Sequence, residues 1–252
     1  MKYTLDTIPV LDAFKSTCQC PLCQLAISCE DGYIDSLLSS AYMEPEVRIE
    51  TNKTGFCPQH FALMYARRNK LGLSLMTHTH MKEFLPELKK ILDDSSQEKS
   101  GPLPFFRGKQ KSSKAEMLRN QICRCHICTQ VDTAMRRYAY TVIRLYLDKA
   151  EFRDLMRQKG GVCLPHTVLL LELAEEAFSA KECQEFEAAL SQITLEHLTA
   201  LEKDLYDFTL QFDYRNAGKT PDPRVRDSVE RAVNRLAGAI VGTEAERPAH
   251  ND

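Results

Sequence analysis

Apolar residues at Ile127, Val131, Ala134, Tyr138, Val142 and Leu145 recur at steps of four, three, four, four and three. That is the spacing of one face of an α-helix. A weaker stripe, Leu25, Ile27, Ile34, Leu37 and Leu38, predicts a helix from about Leu22 to about Tyr42. Pro45 suits the first turn of a short helix that stops at Gly55, and another helix starts at Pro58 with Phe61, Leu63, Met64 and Tyr65. Pro165 takes a similar early-turn place before Val168, Leu169, Leu171, Leu173 and Ala174. The longest predicted helix spans 180–212, with Phe186, Leu190, Ile193, Leu198, Leu201, Leu205 and Phe208 on its apolar side. No segment alternates with the period of two that a half-buried strand requires, so the expected class is all-α.

The chain also repeats itself. Cys18, Cys20 and Cys23 stand in CQCPLC, and Cys123, Cys125 and Cys128 in CRCHIC. Each triplet is followed by a G-x-C-x2-H run, GFCPQH with Cys57 and His60, then GVCLPH with Cys163 and His166. Cys57 lies 34 residues after Cys23, and Cys163 lies 35 after Cys128. Glu46-Val47-Arg48 precedes the first Gly-x-Cys much as Glu151-Phe152-Arg153 precedes the second. This predicts two tandem related helical units, 1–93 and 115–214. The stretch 94–114, rich in Ser, Lys, Pro and Gly, reads as an exposed linker, and 215–252 as a loop, a short terminal helix and a tail.

Composition narrows the function. The 252 residues carry 33 Lys and Arg against 35 Asp and Glu, a net charge of −2, which argues against a nucleic-acid partner. No apolar run approaches the ~18 residues of a membrane span, and the start shows no secretory signal. The expected location is cytoplasmic, where clustered cysteines bind metal or do redox chemistry rather than form structural disulfides.

Ten cysteines are therefore the candidate chemistry. Soft thiolates mixed with imidazole, four at a time, are what a structural zinc site takes. A C-x2-C or C-x2-H pair at a helix start presents both side chains on one face. The spacing predicts two zinc ions per chain. Cys20, Cys23, Cys57 and His60 would hold the first, and Cys125, Cys128, Cys163 and His166 the second, each ion stapling its own unit. An iron–sulfur cluster is the less favoured cofactor, because it asks for four cysteines. Cys18 and Cys123 are surplus, as an extra ligand, a reactive thiol or a packed neighbour. Cys29 and Cys183 fall outside the pattern and suit small buried positions.

Other motifs carry less. His78 and His80 are two apart, which on a helix turns them away from each other. No phosphate loop, HExxH or GxSxG is present. Asp213, Tyr214 and Arg215, after Phe212, are a candidate pocket, or else cap the long helix.

The chain resembles a family of uncharacterised bacterial proteins known only as a domain of unknown function. The resemblance rests on Tyr3-Thr4-Leu5-Asp6-Thr7-Ile8-Pro9-Val10, CQCPLC, GFCPQH and Phe212-Asp213-Tyr214-Arg215-Asn216. It implies a bacterial cytosolic protein and no established activity. The favoured function is a zinc-binding scaffold whose helical surface takes a protein partner. A redox- or metal-responsive thiol sensor is the alternative, and an enzyme with an open zinc site or a pocket near Tyr214 is a third. Closed four-ligand sites count against catalysis, since catalytic zinc keeps a position for water. Neither the partner nor the oligomeric state is written in the sequence.

Overall fold

The computed structural model describes residues 6–93, 113–213, 215 and 222–244. Among them there are twelve α-helices and no strand, as the pattern predicts. They are α1 (Thr7–Lys15), α2 (Pro21–Ser39), α3 (Pro45–Thr54), α4 (Pro58–Ala66), α5 (Lys70–Asp93), α6 (Lys114–Ile122), α7 (His126–Asp148), α8 (Ala150–Lys159), α9 (Leu164–Ala177), α10 (Ala180–Leu210), α11 (Pro223–Arg226) and α12 (Ser228–Ala237). The terminal helix expected as one piece is split at Asp227 into α11 and α12. Among the described residues no helix is long and apolar enough to cross a membrane. Most of the linker, Tyr214 and the tail beyond Glu244 lie outside the described residues.

Local chemistry sets the helix ends. Pro45 and Pro58 open α3 and α4, where a missing N–H costs nothing. Gly55 closes α3 at φ 61°, a conformation open to glycine. A Cβ there would also meet the His80 ring at 2.7 Å. Ser179 and Glu182 form a reciprocal capping box at the start of α10, a device of about 1 kcal/mol. Arg48 and Arg153 do the same task at matched positions. Arg48 Nη1 donates to the Tyr42 carbonyl at 3.2 Å, and Arg153 Nη2 to the Leu147 carbonyl at 2.6 Å. Each guanidinium thus satisfies a carbonyl six residues back, where the preceding helix has ended or is ending.

The chain divides into two compact units, Glu30–Val131 on one side and Met1–Cys29 with Asp132–Asp252 on the other. Two helices carry the chain between them: α2 passes the boundary after Cys29, and α7 passes it after Val131. The Glu30–Val131 unit has a core of Ile34, Leu37, Leu38, Phe56, Met64, Leu73, Met76, Cys125 and Ile127. The other unit buries Phe14 against Phe152, with ring centroids 4.8 Å apart, and Tyr146 edge-on to Phe186. Val142, Ile143, Leu170, Leu173 and Leu190 are fully buried there. Of the stripe read along α7, Ile127, Ala134, Val142 and Leu145 are buried and Val131 and Tyr138 half-buried, and Met135, Ala139, Ile143 and Tyr146 beside it are buried as well.

Candidate metal centres

The site residues all sit at helix starts. Cys57 and Cys163 are the N-caps of α4 and α9, with nearly identical backbones (φ −73°, ψ 165° and φ −68°, ψ 161°). Cys20 and Cys125 immediately precede α2 and α7, and their carbonyls accept the N–H four residues on, from Gln24 and Thr129, both at 3.2 Å. His60, His166, Cys23 and Cys128 each come three residues after such a cysteine. That is the spacing at which cap and first-turn side chains meet. None of the cap sulfurs of Cys57 and Cys163 bonds its own helix end, so both are free to face other groups. Four helix N-termini supply partial positive charge that favours thiolates.

Two groups of four result, Cys20, Cys23, Cys163 and His166, and Cys57, His60, Cys125 and Cys128, with all ligand atoms in each group within 4.8 Å of one another. The eight residues are those predicted, but the pairing is corrected. The C-x2-C of each half joins the C-x2-H of the other half, not its own, and each complete set lies inside one compact unit. Spacing along the chain could not decide this. Lengthening the closed span from 34 residues to the 140 between Cys23 and Cys163 is about two doublings, or about 1.2 kcal/mol of closure entropy. Packing of a few side chains outweighs that.

The distances come close to those around a single tetrahedral ion, and slightly inside them. Bond lengths of ~2.3 Å to sulfur and ~2.0–2.1 Å to nitrogen place neighbouring ligand atoms about 3.5–3.8 Å apart. In the unit of Met1–Cys29 and Asp132–Asp252, His166 Nδ1 lies 3.5, 3.4 and 3.2 Å from the sulfurs of Cys20, Cys23 and Cys163. Cys23 and Cys163 are 3.5 Å apart there. In the Glu30–Val131 unit, His60 Nδ1 lies 3.1, 3.2 and 3.4 Å from Cys57, Cys125 and Cys128, and Cys57 is 3.8 Å from Cys128. The donor set and its geometry both fit a thiolate-binding metal.

Charge is arranged to match. Burial pushes the His60 imidazole down, but Cys125 and Glu30 outweigh it and carry the group up to about 10. Burial likewise pushes the Cys125 thiol up, yet His60 and neighbouring amides hold it at about 6. Cys20 is held well below its usual range against its own burial, by Cys163, Cys23 and His166. Burial lowers His166 too, and Cys163 and Cys20 raise it to about 9. Imidazole and thiolate therefore stabilise each other's charged forms in both groups, and an ion taking its place there displaces the imidazole proton.

The surroundings of the two groups differ. Behind His60, Glu30 Oε1 stands 2.7 Å from Nε2, close though out of line for a good hydrogen bond. Such a carboxylate fixes the ring and makes the ligand nitrogen more basic. The other group has a cation nearby instead. Arg235 of α12 is buried at 4% exposure. Its Nη2 donates to the Lys159 carbonyl at 2.7 Å, and its Nη1 has no protein partner. Burial pushes this guanidinium down, and the charges of Cys20, Cys163, Cys18 and Cys23 push it back up. Two amides also reach sulfur there: Cys163 N–H donates to Cys20 and Ala239 N–H to Cys23, both at 3.4 Å. Asn234 shapes the turn that delivers Ala239, accepting from Ile240 N and Val241 N and donating to the Val241 carbonyl. Gly238 makes that turn at φ 96°. In the Glu30–Val131 unit the His126 N–H bonds the Gly55 carbonyl at 3.0 Å. The matching position in the other unit is Pro21, which has no N–H to give.

Other candidates stay apart from both groups. Cys18 is half-buried, accepts from Ser16 Oγ at 3.0 Å and lines a cleft of about 420 Å³. Burial pushes its thiol up. Cys123 is exposed at the C-cap of α6. Cys29 and Cys183 are half-buried rather than buried. His80 Nδ1 lies 2.7 Å from the Asn52 carbonyl and its ring stacks on Phe84, so it is a packing residue. Arg215 Nε folds back onto Asp213 at 3.0 Å, and Tyr214 lies outside the described residues. Sequence reasoning missed Glu30, Asn234 and Arg235. No motif marks them, because their role depends on which helices meet.

An all-helical chain with two Cys3His groups, each built from a pair of helix starts, is the class that fold and site define. The chain belongs to the Family of unknown function (DUF6062), whose family model matches residues 1–243. No curated protein and no solved structure matched it.

Proposed function

We propose that each Cys3His group holds one zinc ion and that the protein is a metal-stapled helical scaffold. The eight ligands are Cys20, Cys23, Cys163 and His166 at one centre and Cys57, His60, Cys125 and Cys128 at the other. One observation carries this: eight ligand atoms from two distant motif pairs fall into two compact sets, all within 4.8 Å of one another in each. Zinc takes this mixture of sulfur and nitrogen, whereas a cluster would call for a fourth cysteine in each set. When bound, the ion supplies a fixed divalent node. The chain's own residues do the rest: they present thiolates from helix N-termini and tie two helix starts together. Four protein ligands leave no position for a reacting water, which supports a scaffold over an enzyme.

The two motif sets descend on this proposal from a tandem duplication, supported by the matched tasks of Arg48 and Arg153 and the matched caps at Cys57 and Cys163. Ligand thiolates suit a reducing compartment such as the cytoplasm, and a protein partner is the occupant expected for a surface built on closed sites. Mass spectrometry under non-denaturing conditions tests the core of the proposal. The expected result is two zinc ions per chain. A folded protein that carries none after growth in zinc-replete medium overturns it.

A further inference from the structure

The two groups share a ligand set and differ in everything around it, and the difference bears on which sulfur can react. With three thiolates around a divalent ion, each centre carries one net negative charge. At the Cys20 centre that charge is offset by the buried Arg235 guanidinium, and the Cys20 and Cys23 sulfurs each accept an amide N–H. Cys20, Cys23 and Cys163 are 3%, 6% and 0% exposed. Each hydrogen bond or cation draws electron density from sulfur and lowers its nucleophilicity.

At the Cys57 centre the amides reach Cys125 alone, from Cys57 and Cys128, and no cation stands behind it among the described residues. Glu30 adds a second negative charge behind His60. Cys57 is half-buried and Cys128 is exposed. The Cys128 sulfur meets the other three ligand atoms, His60 Nδ1 at 3.4 Å and Cys57 Sγ at 3.8 Å among them. No backbone amide reaches it among the described residues. Burial and the neighbouring Cys125 and Cys57 thiols push its own thiol up to about 12, so its thiolate character comes from the ion of the two-zinc reading, and there it combines solvent access with an electron-rich neighbourhood.

We propose that Cys128 is a modification site for soft carbon electrophiles, and that alkylation there opens the Cys57 centre while the Cys20 centre stays closed. This rests on the two-zinc proposal above. In the step itself the Cys128 sulfur lone pair forms a bond to the electrophilic carbon, and the carbon–leaving-group bond breaks, the leaving group departing with its electron pair. No proton and no redox partner is needed. The resulting thioether carries no negative charge and is a far weaker ligand, so Cys128 leaves the set and three ligands remain. The protein then serves as a one-way reporter of alkylating compounds, with the centre near Arg235 as its fixed frame.

The test uses full-length, metal-loaded Cys123→Ser protein, which removes the other exposed thiol. Metal is counted first, then limiting iodoacetamide is added, and alkylation is mapped by peptide mass spectrometry while metal is counted again. The expected result is carbamidomethylation first at Cys128, loss of one of two ions, and protection of Cys20, Cys23 and Cys163. Glu30→Gln, with both ions still present, should slow Cys128 alkylation by roughly tenfold. First modification at the Cys20 centre, simultaneous loss of both ions, or an unreactive Cys128 overturns the proposal. Fewer than two ions before any reagent is added overturns the two-zinc reading instead, and this proposal with it.

Discussion

His197 shows how one side chain couples packing to pH. Its ring lies over Gly160, where a Cβ would come within 2.2 Å of Nδ1, and Gly160 is at φ 69°. Burial, then Arg235 and Arg231, push its imidazole down to about 4. A depressed histidine favours the folded state fully above its unfolded value near 6.5, and that contribution is lost as pH falls towards 4. Half-buried and screened by solvent, His197 contributes a loss of about 1 kcal/mol between neutrality and pH 5. His197→Gln should therefore flatten the acid limb of stability relative to wild type, read from denaturant midpoints at pH 7 and pH 5. Parallel losses in the two proteins would show that His197 titrates normally. The same neighbourhood explains why Arg235 escaped sequence reasoning. An arginine in a short terminal helix is ordinarily a solvated residue, and only the packing of α12 against α9 and α10 buries it within reach of the Cys20 and Cys163 charges.

At the scale of elements, much of the fold was legible. Pro45, Gly55 and Pro58 mark the ends of α3 and α4 by their own stereochemistry, and the α7 stripe fixes a helix and its buried face. Residues such as Ala150 to Lys159, with mean burial on a single narrow side, gave no such signal, although they form α8. The ligands were legible by type and spacing. Their partnership was not, because Cys20-x2-Cys23 and Cys125-x2-Cys128 offer the same chemistry to either C-x2-H. A substitution reads the partnership directly. Cys57→Ser should raise amide exchange around residues 55–66 and around the start of α7 near Cys125, since metal-binding energy at such a site is largely folding energy. Protection around Cys20 and around Leu164–Ala177 should hold. Increased exchange near Cys20 with an unaffected α7 start would restore the pairing within halves.

For the whole molecule, the crossed ligand sets impose an order on synthesis. When the ribosome has made 93 residues, Cys20, Cys23, Cys57 and His60 are all present and neither native set is complete. The Cys57 centre waits until Cys128 emerges, and the Cys20 centre until His166. At about 5–20 residues per second this interval lasts seconds, long enough for a free ion to capture the four early ligands. That false set closes a shorter loop, by about 1.2 kcal/mol in entropy. It is thus a kinetic snare laid by the two like motif sets themselves. Refolding from denaturant with zinc present from the outset should show a slow phase that vanishes when zinc is withheld until the helices have formed, followed by far-ultraviolet circular dichroism and a zinc-sensitive dye. Identical kinetics under both orders of addition would mean the early ligands never meet. A cell that makes this chain gains, on that account, from keeping free zinc scarce while the first half stands alone.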